Sequence, residues 1–112
     1  MNTITRDSVL NALVRHIGRD LGITARALVV EICGAWSPNR ERELRHIVEQ
    51  LRIEGIAVCA DPRAGYHIAK DDAELQQSIS FLRKRALTTF RQLRQLQKLA
   101  RPPMNGQRRL LL

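Results

Sequence analysis

At 112 residues, 44% hydrophobic but only 4% aromatic, the chain has room for one small domain plus an extension. Its core must come from Leu, Ile, Val and Ala, which favours helices over a large sheet. A net charge of +8, from 19 basic and 11 acidic residues, points to a polyanionic partner, and no apolar run approaches the roughly 18 residues a membrane span requires.

The charge is uneven. Residues 1–70 hold 10 Lys/Arg and 8 Asp/Glu, whereas residues 71–112 hold 9 and 3. Cys33 and Cys59 form no CxxC pair, and the polar first residues lack the apolar stretch of a signal peptide. The expectation is a cytoplasmic protein with two reduced, buried thiols.

Thr5 can cap a first helix whose apolar positions Val9, Leu10, Leu13, Val14 and Ile17 recur at the helical period, with Gly18 near its end. A connector, 19–23, leads to Thr24, the cap of a second helix from Ala25 to about Cys33 with Leu28, Val29 and Ile32 as its buried stripe. Gly34 stops that helix. Trp36, the only tryptophan, closes a small core more readily than it offers a stacking platform, because no other aromatic stands beside it.

Ser37 or Asn39 can cap a third helix, from about Asn39 to Glu54, with Pro38 in its first turn and Gly55 where the chain leaves it. Leu44, Ile47, Val48 and Leu51 make its apolar stripe. Arg42, Arg45, His46, Glu49 and Gln50 fall on the flanks or the opposite side. Ile56–Ala60 and Tyr66–Lys70 are β-prone runs around a turn containing Pro62 and Gly65, a hairpin with Arg63 at its tip.

A helix followed at once by a hairpin with a basic tip resembles the winged helix-turn-helix. Leu44, Val48, Leu51-Arg52, Gly55-Ile56 and Gly65-Tyr66 look like the DNA-binding domain of the biotin repressor and its relatives, a layout shared by small phage and prophage regulators. The resemblance covers about residues 40–70 and implies an α+β, mainly helical fold: three helices and a β-hairpin wing over residues 1–70. It also implies a double-stranded DNA partner and a bacterial or phage role in transcription regulation. In that reading the helix 39–54 enters the major groove, with Arg42, Arg45, His46 and Gln50 toward base edges and Glu49 on the same contacting surface. Arg40 and Arg63 meet phosphates.

Beyond Asp71 or Asp72, a cap, a long basic helix is expected over 71–100. Leu75, Ile79, Leu82, Ala86, Thr89, Leu93, Leu96 and Ala100 alternate steps of four and three, the spacing of a coiled-coil seam. A helix of that length outreaches one small domain, so a homodimer through it is expected, with a helix folded back on its own domain as the alternative. Pro102-Pro103 ends it, and 101–112 is expected to be a flexible tail.

No enzyme, cofactor or metal is expected. His16, His46 and His67 share no ligand spacing, and neither a Gly-rich phosphate loop nor a nucleophile elbow is present. Two other readings stay open. Glu41, Glu43, Glu49 and Glu54 dilute the positive field of the third helix, which suits a winged-helix interaction module in a phage replication or packaging assembly. A membrane-surface role for the last helix ranks below both, since Phe81 and Phe90 are its only aromatic anchors.

Overall fold

The structure, a computed structural model, describes residues 3–100. The expected tail 101–112 lies outside the described residues. Helices α1 (Arg6–Leu13), α2 (Ala25–Cys33), α3 (Pro38–Ile53) and α4 (Asp72–Ala100) flank one antiparallel sheet of β1 (Val58–Asp61) and β2 (Gly65–Ile68). The fold is thus mainly helical with a small β component.

Two compact units make up the chain, one reaching Ser78 and one beginning at Ile79. The division falls inside α4, so its first turns belong to the first unit.

In the first unit, local chemistry starts the helices, and ends α2, where the spacing predicts. Thr5 and Ser8 form a reciprocal capping box at α1, Thr24 accepts the Ala27 N–H at α2, and Ser37 accepts the Arg40 N–H at α3. Of the two caps possible for α3, Ser37 serves, and Pro38 takes the first helical position. Gly34 ends α2 in the left-handed conformation, φ 84°. Val9, Leu13, Leu28, Val29, Leu44, Val48 and Leu51 then meet in one buried core. Trp36 packs against that core at its edge.

The first helix is shorter than its periodicity suggests. It stops at Leu13, and Val14 and Ile17 are half exposed rather than buried. Residues 16–18 bond to β2 instead: the Ile68 N–H donates to His16 O at 2.9 Å and the Gly18 N–H to Ile68 O at 2.8 Å. Further on, Ile23 and Tyr66 exchange both backbone bonds, at 2.9 and 2.7 Å. The connector therefore covers the free edge of β2, which would otherwise present unpaired amides. Gly65 permits the approach: it sits at φ 81°, and a Cβ there would run into the Ile23 backbone.

The hairpin pairs Val58 with Ile68, Cys59 with His67, Ala60 with Tyr66 and Asp61 with Gly65. Its strands are shorter than the β-prone runs, and Ile56 lies before them. Asp61 shapes the turn, its Oδ1 accepting the N–H groups of Arg63 at 2.7 Å and Ala64 at 3.0 Å, while Oδ2 accepts Arg19 Nε at 2.9 Å.

A second carboxylate ties the start of α4 to this sheet. Glu74, buried, accepts the Arg19 N–H at 2.9 Å and the Lys70 N–H at 3.2 Å, and lies 3.8 Å from Nε2 of buried His67. Ser78, also buried, accepts the Ala60 N–H at 3.3 Å. The buried residues of α4 are these two polar ones, whereas Leu75 and Ile79 of the expected seam are only partly covered.

Both carboxyls are held below the ordinary range, Asp61 chiefly by the Arg19 side chain and Glu74 chiefly by the Arg19 amide. A carboxyl depressed by folding adds stability above its unfolded value, about 4, and that stability fades as pH falls toward its folded value. Thermal melts should therefore be level down to about pH 5 and drop below it. Asp61→Asn should flatten the drop, and an unchanged acid limb would remove Asp61 as its source.

Candidate nucleic-acid interface

The face that α3 turns away from the core is set by its buried positions. With Leu44, Val48 and Leu51 inward, Arg42, His46, Glu49 and Gln50 point outward, and all four are exposed. Arg42 and Glu49 form no ion pair among the described residues. His46 Nε2 lies 3.5 Å from Gln50 Nε2, one helical turn on. These four make a continuous polar strip.

Arg45 stands apart from that strip. Its Nη2 donates to Glu41 Oε2 at 2.6 Å. Glu41 also accepts Trp36 Nε1–H at 2.9 Å, and the Arg26 guanidinium lies 4.3 Å above the Trp36 ring. The Trp36 and Arg45 hydrogen bonds hold the Glu41 carboxyl below its ordinary range. Arg45 must leave Glu41 before it can serve a base edge, which makes it a poorer donor than Arg42. Arg40 is likewise engaged, Nη1 donating to Ala35 O at 3.1 Å.

Arg63 is exposed between the strands, and its backbone amide is the part held by Asp61. The hairpin is tied to α3 by Arg52, whose Nε donates to Val58 O at 2.8 Å, and by Ile56, whose N–H donates to Leu51 O at 2.9 Å. Thus the strip on α3 and the tip at Arg63 belong to one packed unit.

Sequence reasoning missed the Arg26–Trp36–Glu41–Arg45 chain and the Arg52 tie. Glu41 and Arg45 at i,i+4 is a readable pairing signal. Arg26 over Trp36 joins α2 to the connection that follows it, and nothing in helical spacing announces it.

Among the described residues no group of three or more His, Cys, Asp or Glu could hold a metal ion, and no helix is long and apolar enough to cross a membrane. Cys33 and Cys59 are free and buried, and burial raises the Cys59 thiol, keeping it protonated. Compared with protein-family models, curated proteins and solved structures, the chain gives no match.

Proposed function

We propose that the protein is a winged-helix DNA-binding regulator of the bacterial or phage type, reading the major groove with α3 and touching the backbone with the hairpin. One observation carries the reading: Arg42, His46, Glu49 and Gln50 form an exposed strip on α3, in the same packed unit as a hairpin that exposes Arg63 at its tip. In this reading Arg42 donates to a guanine edge, His46 and Gln50 supply shorter polar contacts, and Glu49 excludes the wrong phosphate or base approach. Arg40, Arg45 and Arg63 serve phosphates, Arg45 only after release from Glu41. The two buried free thiols suit a reducing cytoplasm, and the apolar seam of α4 pairs two copies.

A second reading, a winged-helix interaction module in a phage replication or packaging assembly, is favoured by Ile53, 87% exposed at the end of α3, and by Glu43 and Glu49 on the same helix, which have no cationic partner among the described residues. Selection from random duplex DNA at two salt concentrations separates the two. A DNA reader should enrich a motif, and Arg42→Ala should then cost about 1–3 kcal/mol on that motif. Arg63→Ala should weaken all duplexes alike and lower the salt slope by about one unit. No enriched motif, with Ile53→Ser abolishing a protein contact instead, would establish the interaction module.

A further inference from the structure

Between Ile79 and Ala100 the helix α4 carries Arg83, Lys84, Arg85, Arg91, Arg94 and Lys98 and no acidic residue. All six are exposed. Arg85 and Arg94 lie over the rings of Phe81 and Phe90, 5.7 and 5.8 Å from their centroids, and none of the six has a carboxylate partner among the described residues. Solvated helix faces ordinarily mix both signs, so that like charges do not gather.

Four of the six cations share a face, whereas Arg83 and Arg85 stand on either side of the leucine stripe. Lys84, Arg91 and Lys98 recur every seven residues, and Arg94 stands one turn from Arg91 and from Lys98, so the four share one stripe. Leu82, Leu93 and Leu96 form a separate stripe, roughly half a turn around the helix from Lys84, Arg91 and Lys98. A helix lying in a bilayer surface places its basic residues beside the apolar face, as Arg83 and Arg85 are here, and not on the far side as these four are. Here a partner covering Leu82, Leu93 and Leu96 leaves the basic stripe open, with Leu87 exposed within it.

From Lys84 to Lys98 the stripe spans about 21 Å. Duplex DNA presents one phosphate charge per ~1.7 Å of axis, about a dozen over that distance. That count covers both strands, so phosphates are available along the stripe whatever the base sequence.

We propose that Lys84, Arg91, Arg94 and Lys98 form a second nucleic-acid site, a stripe that binds the phosphodiester backbone of duplex DNA without regard to sequence. It does not require α3 to read bases. Held by this stripe, the protein would stay on any duplex, and counterion release would make that hold strongly salt-dependent.

The test uses the full chain and a random duplex titrated over a range of salt. A variant carrying Lys84→Gln, Arg91→Gln, Arg94→Gln and Lys98→Gln keeps good helix formers at each position. It should lose about three to four units of salt slope and about 100-fold in affinity at low salt, with helix content and oligomeric mass unchanged. A charge-conserving variant, Lys84→Arg, Arg91→Lys, Arg94→Lys and Lys98→Arg, should bind as the parent does. Unchanged affinity and slope in the four-glutamine variant would overturn the proposal, as would loss of binding in the charge-conserving one. Vesicles of mixed phosphatidylserine and phosphatidylcholine provide a further arm: binding as strong as to duplex, lost with the four glutamines, would make the stripe a lipid site and overturn it. Absence of an enriched motif would defeat the α3 reading alone, and insensitivity to the four glutamines would defeat the stripe alone.

Discussion

On the proposed pairing through α4, placing Asp at both Leu93 and Leu96 should yield a folded monomer and weaken binding to a proposed two-half-site operator by about 10²–10⁴-fold, the usual range of lost avidity. Both leucines are exposed in the single chain, Leu93 at 48% and Leu96 at 64%, and Leu82, Leu87, Phe90 and Leu99 beside them are also open. So many exposed apolar side chains on one helix support the proposed pairing. Leu82, Leu93 and Leu96 hold the four-three spacing that brings two helices together, while Ala86 and Thr89 leave its middle thin. Two copies joined there would address half-sites about 34–36 Å apart, one turn of DNA. The aspartates introduce charge into that seam at positions outside the first unit, which ends at Ser78. Light scattering should report twice the chain mass for the parent and the chain mass for the variant. A monomeric parent at micromolar concentration would remove the dimer.

Leu51→Ala should be among the most damaging truncations within the first unit, at about 2–5 kcal/mol. Leu51 is fully buried in the core with Leu44 and Val48, and its carbonyl accepts the Ile56 N–H that turns the chain toward β1. The shortened side chain leaves a void where α3 meets the rest of the core. For a unit of this size the loss corresponds to a fall in melting temperature of at least about 8 °C. Calorimetry on the parent and the variant measures it directly. Arg42→Ala, on the outward face of the same helix, should leave the melt unchanged, and an equal effect at both positions would contradict the inward and outward assignment of α3.

What these two substitutions probe was legible in the sequence to different degrees. Helix existence, caps and inward faces were set by neighbours within a turn: Thr5, Thr24 and Ser37 at helix starts, Gly34 at a helix end, and Leu44, Val48 and Leu51 at helical spacing. The hairpin followed from two β-prone runs around Pro62 and Gly65, and its register places Val58 against Ile68. The outward side chains of α3 were readable for the same reason, because a periodic buried stripe defines the opposite face.

Partners distant along the chain were not readable. Val14 and Ile17 fit the helical period of α1, yet the backbone bonds between 16–18 and Ile68 outweighed it, ending the helix at Leu13 and leaving both side chains half exposed. Glu74 lies in the first turn of α4, where spacing alone offers an acid no more than a favourable helix dipole. Only the fold brings it to the amide of Arg19, 55 residues away, and so makes it a buried anchor. Arg45 read as a free donor until Glu41, itself held by Trp36, proved to occupy it. Helical spacing encodes which face a residue occupies, because that depends on three or four neighbours. Which donor a buried carboxylate meets depends on how separate elements pack, and that was decided only when the sheet, the connector and α4 came together.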